Sequence, residues 1–225
     1  MLMALVAGFA YGYVIQPLSL HEDATAIHAA VQDSLPLFRW GIAGFILILI
    51  LDIIVAWSLY YLFALNSKTL ALLASWLRLV YAALLGIAIT HLLAALREAG
   101  RYHTGIGLFE GKGVVYYLEM FDATWSMALI LAGFHLFVLG LVLLRSGDVP
   151  RIMGWLAILA ALCYTGTSLG NLLWPGYRHY RLLADQWLSI PMASGELPFA
   201  LWLVFKAGKG KSREKGTIAA ALSAA

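Results

Sequence analysis

The chain alternates long apolar runs with short polar segments, and the lengths of the apolar runs determine its predicted architecture. Several runs exceed about 18 residues, the length that a helix needs to cross the hydrocarbon core of a bilayer. Six segments are predicted, at Leu2–Leu18, 40–62, 69–96, 119–144, 152–173 and 187–205. The fold class is therefore all-α, a bundle of six transmembrane helices.

The connections between these segments are of two kinds. Residues 64–68 and 145–151 form short ones, and Gly147 and Pro150 are typical stop and restart signals between antiparallel helices. Three longer connections, about 19–39, 97–118 and 174–186, fall on the opposite side. The first contains Ala26, Ile27, Ala30 and Val31 on one helical face, which predicts a short amphipathic helix in the first outer loop.

Composition agrees with a membrane protein, since 62% of the residues are hydrophobic and 12% are charged. A soluble domain carries about 25% charged residues. We therefore expect one integral membrane domain over residues 1–206, with the lipid bilayer as its surroundings. Residues 207–225 are basic and then alanine-rich, which predicts a disordered cytoplasmic tail. A nucleic-acid partner is not expected, because the chain has no basic face on a folded domain.

Basic residues near the segment ends predict the orientation. Lys68, Arg145, Arg151 and Lys206 lie on the side of the short turns, followed by further Lys and Arg in the tail. Cytoplasmic loops carry an excess of such residues, so we expect both termini inside a bacterial cell (inner) membrane. A symmetric dimer is compatible with this length, but no specific motif supports a homo-oligomer.

Four ionisable side chains stand out, one in each of four apolar segments: Asp52, Arg78, His135 and Glu196. Each lies roughly ten residues from the end of its segment on the short-turn side, which is about 15 Å along a helix and about half of the hydrocarbon core. Charges at that depth are costly and normally face a bundle interior. The sequence therefore predicts one buried polar belt.

Two pairings are expected within this belt. Asp52 and Arg78 lie on consecutive antiparallel helices, where a charge-assisted hydrogen bond could clamp the two helices together. His135 and Glu196 could shuttle a proton, act as a general base with its partner, or bind a cation, and they could equally form a structural hydrogen bond. The two pairs could also be a single network.

Further polar residues could line a path to the belt from the outer side. His91, Asp122 and Asn171 lie toward that side, although Asp122 could equally stabilise the N-terminus of a helix. Pro191 and Pro198 bracket Glu196, an arrangement that resembles the broken helices of transport sites and that also fits a simple bend.

Other chemistry has little support. Neither an HExxH motif nor two histidines at helical spacing occurs, so we expect neither a metal site nor a cofactor, and the catalytic residues, if any, stay unknown. The pairs Gly8/Gly12 and Gly166/Gly170 have the four-residue spacing of close helix packing, which also arises by chance.

Several runs resemble a known family, the bacterial multi-pass proteins grouped as domain of unknown function 4386. The runs are LFRWGIAGFILILILDIIVAWSLYYLF, NSKTLALLASWLRLVYAALLG, FHLFVLGLVLLRSGDVPRIMGWLAILA, NLLWPGY and GELPFALWLVFKAG. The resemblance covers about residues 5 to 208 and implies that the belt pattern carries over to Asp52, Arg78, His135 and Glu196. Similar proteins begin with a short basic stretch that this chain lacks, which leaves the true start open.

Three functions remain open on the sequence. The protein could move a small solute, a cation or a proton, with an unknown small molecule or ion as its ligand. It could be a membrane enzyme that acts on a lipid-soluble substrate, with His135 as the base and Glu196 as its partner. It could also be a structural or accessory subunit in which the belt only locks the bundle.

Overall fold

A computed structural model describes residues 2–20, 23–101, 112–147 and 149–206, and all regular structure in these ranges is helical. We number the helices α1 (Leu2–Leu18), α2 (Ala24–Asp33), α3 (35–66), α4 (68–101), α5 (Gly113–Arg145), α6 (Arg151–Leu173), α7 (Tyr177–Ser194) and α8 (197–206). The predicted all-α membrane bundle is confirmed, while the number of six crossings stays a prediction. The predicted tail, 207–225, and the glycine-rich part of the second long connection lie outside the described residues.

The outer surface of the bundle is apolar, as a lipid environment requires. Large hydrophobic side chains such as Ile54, Trp57 and Leu162 are at least half exposed. By length and composition, the helical stretches Leu35–Gly100, Gly113–Arg145, Arg151–Leu173 and Gln186–Lys206 are each apolar enough to cross a membrane. The protein is therefore membrane-embedded.

Helices α3 and α4 form a hairpin that turns at one residue. The helical stretch Leu35–Arg101 is interrupted only at Ser67, whose backbone is extended (φ −160°, ψ 85°). A straight helix of 67 residues would be about 100 Å long, roughly three times the hydrocarbon core. Instead the two halves pack together, so that a Cβ added to Gly86 of α4 would lie 3.2 Å from the side chain of Leu49 in α3. The turn predicted at 64–68 is thus shorter than expected, since Ser67 is its one non-helical residue.

The predicted amphipathic helix in the first long connection is confirmed as α2. Asp23 caps its N-terminus by accepting hydrogen bonds from the backbone N–H and the hydroxyl of Thr25, and these bonds lower the pKa of Asp23. Val31 is buried on the inner face. Gln32 donates a hydrogen bond to the carbonyl of Ala99 at 3.1 Å, which ties α2 to the end of α4.

Helices α5 and α6 follow one another across the short connection predicted at 145–151, part of which lies outside the described residues, and they approach each other at glycines. A Cβ on Gly140 would lie 2.8 Å from the carbonyl oxygen of Gly154, and a Cβ on Gly133 would clash with Thr165. Because backbone atoms fill this space, only glycine fits at Gly140 without a shift.

The glycine pairs singled out in the sequence do not form packing faces. A Cβ at Gly8 or Gly166 would meet nothing within 4 Å, and one at Gly12 would only reach the side chain of Gln16 at 4.0 Å. Gly170 does lie close to a neighbour, but that neighbour is the ring of Tyr177 and not the backbone of another helix. Four-residue spacing alone was therefore a wrong guide to the close contacts.

The third long connection was predicted over 174–186, and most of it is helical. Helix α7 begins at Tyr177, directly after the Trp174–Gly176 turn. The helix contains Pro191 and ends at Ser194, and residues 195 and 196 form a turn before α8. The segment around Glu196 is therefore interrupted, as its two prolines suggested.

Two apolar clusters of buried side chains fill the bundle, one toward each end. The cluster near the long connections includes Phe38, Phe45, Leu85, Leu92 and Phe121. The cluster near the short turns includes Leu59, Phe63, Leu139, Leu143 and Phe199. Along α3, α4 and α5, the belt residues Asp52, Arg78 and His135 lie between residues of the first cluster and residues of the second. Glu196 contacts Arg78, so the polar groups occupy the middle of the bundle.

Candidate functional site

The guanidinium of Arg78 is the centre of the polar belt. Its Nε donates to Asp52 Oδ1 at 2.9 Å, and its Nη1 donates to Glu196 Oε1 at 2.6 Å. A second contact of 2.7 Å joins Nη2 to Asp52 Oδ1. The side chains of Arg78 and Asp52 are 4% and 0% exposed, so this ion pair is shielded from its surroundings. One arginine thus holds carboxylates from α3 and from the α7–α8 turn.

The ring of His135 completes the belt from α5. Its Nε2 lies 3.0 Å from Arg78 Nη1, and its Nδ1 lies 2.8 Å from the carbonyl oxygen of Ala74. A guanidinium can only donate and a carbonyl can only accept, so Nδ1 carries the proton and Nε2 accepts. His135 is therefore a neutral imidazole with both nitrogens in use. Glu196 Oε1 lies 4.0 Å from Nε2, so the two expected pairs are one network around Arg78.

With both carboxylates ionised, the four belt side chains have one formal negative charge in excess. Asp52 and Glu196 contribute two carboxylates, Arg78 contributes one positive charge, and the imidazole of His135 contributes none. Asp52 Oδ2 is buried and has no hydrogen-bond partner among the described residues. Glu196 differs from the other three, because 36% of its side chain is exposed. Unsatisfied acceptor capacity is thus concentrated on the two carboxylates.

A second polar cluster lies toward the long connections. Arg181 of α7 donates two hydrogen bonds to the carboxylate of Asp122 of α5, at 2.6 and 2.9 Å, and a third to the hydroxyl of Tyr11 at 3.2 Å. Asn171 of α6 donates to Asp122 and to Ser126. Burial opposes the charge of Arg181, but the bonds to Asp122 outweigh it and raise the pKa of Arg181 above its usual value. This cluster is electrically neutral.

One cavity of about 490 Å³ joins the belt to this second cluster. Asp52, Arg78, His135 and Glu196 line it at one end, and Asp122, Asn171 and Arg181 line it at the other. The rest of the wall combines aliphatic and small residues with aromatic side chains that include Phe45, Tyr81, Trp125 and Tyr164. The volume is that of a site for a small molecule, which typically measures about 300–1,000 Å³.

The rim of the cavity lies between α1 and α7. Ala4 and Gly8 of α1 and Ser189 and Ala193 of α7 line the cavity and are also exposed. Small residues at these positions leave the space between the two helices open. Helix α1 packs on the α3–α4 hairpin, and α7 packs on α6. The two helices that border the opening are therefore held by different parts of the bundle.

Both bordering helices depart from regular α-helical geometry. Residues Gly8–Ile15 of α1 form a π-helix, a rare conformation that is frequently found at functional sites. On the other side, regular helix ends at Ser194 and resumes at residue 197, while Gly195 keeps helical backbone angles (φ −68°, ψ −39°), so Glu196 lies at a local irregularity of the helix. Interrupted membrane helices are tolerated where the backbone is buried in protein or lines a cavity. The irregular geometry therefore coincides with the cavity wall.

The sequence-predicted residues have different positions relative to this cavity. The four belt residues meet at Arg78, and Asp122 and Asn171 are bonded to each other at the far end of the cavity. His91 is half-buried on α4 and is not among the residues that line the cavity. Within the described ranges, no cluster of three or more His, Cys, Asp or Glu side chains is placed to hold a metal ion.

Sequence reasoning missed Arg181 and the aromatic wall. Arg181 was assigned to a loop because it follows the helix terminator Trp174–Gly176 in a polar run. A signal was present, however: Arg181, Ser189 and Glu196 recur at helical spacing on the face that lines the cavity. Reading α7 as an amphipathic helix would have placed Arg181 on that face.

The profile of the domain of unknown function 4386 (DUF4386) matches residues 1–207. The chain belongs to the DUF4386 family. A relative from Archaeoglobus fulgidus, described as an uncharacterized protein, is 31% identical over 173 residues, which cover 76% of this chain and 85% of the relative. Because this relative is archaeal, the bacterial source expected for this DUF4386 protein stays a prediction. No solved structure matches the chain.

Proposed function

We propose that this DUF4386 protein moves a small polar solute, a cation or a proton across the membrane through the cavity between α1 and α7. The observation that carries the proposal is the continuity of that cavity, which reaches from the buried belt to the Asp122–Arg181 cluster. A belt that served only as a clamp would need no such space beside it.

The charges of the cavity support this function. Ionisable groups within a membrane are costly and commonly mark substrate or ion pathways. The belt has an uncompensated carboxylate charge, and Glu196 is the member whose side chain is exposed. A solute that entered from the rim would therefore meet a carboxylate while Arg78 and His135 stayed engaged with their partners.

The Asp122–Arg181 pair would act as a barrier at the far end of the cavity. It connects α5 to α7, and Arg181 also reaches Tyr11 of α1. Passage to that side requires the pair to separate, which fits alternating access by movement of α7 against α5. We place the short turns and both termini in the cytoplasm of a cell membrane, following the excess of Lys and Arg on that side.

Flux through reconstituted vesicles tests this function. We would measure protons, tetraethylammonium and urea separately, and at least one flux should exceed that of protein-free vesicles about tenfold, which corresponds to about 1.4 kcal/mol of barrier. Gly8→Trp should abolish it, because Gly8 lines the cavity and the added side chain meets open space there.

Gly166→Trp is the matched control for that variant. Gly166 lies on α6, its Cβ would also meet nothing within 4 Å, and it does not line the cavity. Its flux should equal that of the wild type. The proposal is contradicted if the proton, tetraethylammonium and urea fluxes all equal those of protein-free vesicles, or if the Gly8→Trp variant has the flux of the wild type.

A membrane enzyme is the second candidate, and the exposed rim favours it because a lipid-soluble substrate could enter from the side. His135 is a poor base for such an enzyme, since both of its nitrogens are engaged. Glu196 would have to take that role. Incubating purified protein with a lipid extract and following the species by mass spectrometry tests this candidate: consumption of one species that stops in Glu196→Gln would support catalysis over transport.

A purely structural role is the third candidate. Arg78 joins α3, α4, α5 and the α7–α8 turn through its bonds to Asp52, His135 and Glu196. This network stabilises the bundle whether or not a solute passes beside it. Wild-type flux at the level of protein-free vesicles for every probe would favour this role.

A further inference from the structure

We infer that the cavity takes a monovalent organic cation with an aromatic or short apolar body, which binds through N–H groups to Glu196 in exchange for one proton. This inference rests on the proposed function and specifies the substrate class of the same cavity.

The charge of the belt selects the charge of the guest. Two carboxylates and one guanidinium leave a single negative charge in a poorly solvated region, where an uncompensated charge is strongly unfavourable. One monovalent cation neutralises the belt. An anion would raise the excess to two charges, and a neutral solute would leave it unchanged.

The hydrogen-bonding capacity of the belt selects the polar group of the guest. The N–H groups of Arg78 are directed at belt residues and at Met3 Sδ, and the ring nitrogens of His135 are directed at Arg78 and at the carbonyl of Ala74. Asp52 Oδ2 has no partner among the described residues, and Glu196 Oε2 receives only a long bond of 3.4 Å from Arg78. The free groups are therefore acceptors, which require a donor such as an ammonium N–H.

The aromatic wall selects the body of the guest. Trp125 lies at the centre of an aromatic group, with ring centroids 5.6 Å from Phe45, 6.0 Å from Phe121 and 6.3 Å from Tyr81. Trp125, Phe45 and Tyr81 line the cavity beside the belt. Aromatic faces attract cations and pack against rings and short alkyl groups. A guest with an ammonium group on a small apolar body satisfies both the belt and this wall.

A proton competes with such a guest for the same excess charge. The ionisable side chains that line the cavity are Tyr11 of α1, Asp52 of α3, Arg78 and Tyr81 of α4, Asp122 and His135 of α5, Tyr164 of α6, Tyr177 and Arg181 of α7, and Glu196 after α7. Adding one proton to this group neutralises it, as binding one ammonium does. The empty belt is neutral when it holds this proton, so the guest enters as the proton leaves to solvent, and acid should weaken binding.

Calorimetric titration of the purified full-length protein in detergent tests this inference. The probes are benzylamine, which is cationic at neutral pH, and the similarly sized benzyl alcohol and benzoate. Benzylamine should bind at least about tenfold more tightly than either, a difference of about 1.4 kcal/mol. Its affinity should fall as the pH is lowered from neutral to mildly acidic.

Two variants locate the binding. Glu196→Gln should reduce benzylamine affinity about tenfold or more, and Gly8→Trp should abolish it in a chain whose belt is intact. Gly166→Trp should bind as the wild type does. If Glu196→Gln does not fold, the comparison of Gly8→Trp with Gly166→Trp still locates the site.

Three results would overturn the inference: no benzylamine binding to folded wild-type protein, equal or tighter binding of benzoate, or unchanged benzylamine binding in Gly8→Trp. If benzoate or benzyl alcohol binds to the wild type at least as tightly as benzylamine and fails to bind to Gly8→Trp, the substrate class is wrong and the proposed solute pathway stands. If no flux depends on the cavity, the proposed function itself fails.

Discussion

At the scale of single residues, Arg78 determines how the belt is organised. A guanidinium offers five N–H donors in a rigid fork, and here they serve two carboxylates and an imidazole. An ammonium group offers three donors from one point, so lysine could not hold the same three partners in this geometry. The belt therefore depends on the shape of arginine as well as on its charge.

Neutralising variants of the belt should differ in stability in a way that follows from its charge. Arg78→Met leaves two buried carboxylates without a cation and should lower the free energy of unfolding by about 3–5 kcal/mol. Asp52→Asn leaves Arg78 paired with Glu196 and should lower it by about 1.5–3 kcal/mol, the range for a hydrogen bond to a charged group. Unfolding in detergent followed by circular dichroism measures both.

The double variant Arg78→Met with Asp52→Asn is the control for this comparison. It leaves one carboxylate instead of two and should recover part of the stability that Arg78→Met loses. If Arg78→Met and Asp52→Asn lower the free energy of unfolding equally, the excess negative charge does not affect the stability of the bundle.

The sequence predicted the members of the belt better than their pairing. The common distance of Asp52, Arg78 and Glu196 from their helix ends predicts a common depth, because helical rise is constant. Pairing depends on rotation of each helix about its axis, which the apolar pattern does not define when nearly all positions are apolar. This is why His135 was paired with Glu196, with a single network only as the alternative, whereas its ring is bonded to Arg78.

At the scale of helices, the contact between α5 and α6 depends on glycines, which have no side chain to keep the two backbones apart. Gly140 and Gly154 bring the two backbones together so closely that a Cβ on Gly140 would lie 2.8 Å from a carbonyl oxygen. A carbonyl within a helix cannot move aside as a flexible side chain can. The spacing of glycines in the sequence did not reveal this face, because the contact pairs glycines from two different helices.

Gly140→Ala should therefore lower the free energy of unfolding by about 1–3 kcal/mol, the usual range for overpacking. Gly166→Ala on α6 meets nothing within 4 Å and should be neutral or stabilising by up to about 1 kcal/mol, since alanine favours helix formation. Thermal unfolding of the two variants in the same detergent checks the contrast. A Gly166→Ala variant as unstable as Gly140→Ala would argue against the described packing.

At the scale of the whole molecule, the arrangement of short and long connections divides the bundle into two ends. Ser67 and the Gly147–Pro150 turn lie at one end, and α2 lies at the other beside the end of α4. The alternation of ends follows from the lengths of the apolar runs, so the sequence predicted it. The opening between α1 and α7 was not predictable, because it depends on two helices that do not pack tightly together.

Single cysteines in a Cys163→Ala background test the orientation. Gly147 and Ala29 are both exposed and lie at opposite ends, so Gly147→Cys and Ala29→Cys form a matched pair. A membrane-impermeant thiol reagent applied to whole cells should label Ala29→Cys, and it should label Gly147→Cys only after permeabilisation. The reverse pattern would place the short turns outside.

The single-residue turn at Ser67 also has a consequence for how the chain enters the membrane during synthesis. Helices α3 and α4 emerge from the ribosome as one hairpin, so Asp52 and Arg78 can enter the bilayer as a pair. Inserted alone, each charge would cost about 2.5–3.5 kcal/mol at the centre of the membrane. Glu196 is the last of the four to be made, and the nascent bundle gains its excess negative charge only when this carboxylate reaches Arg78.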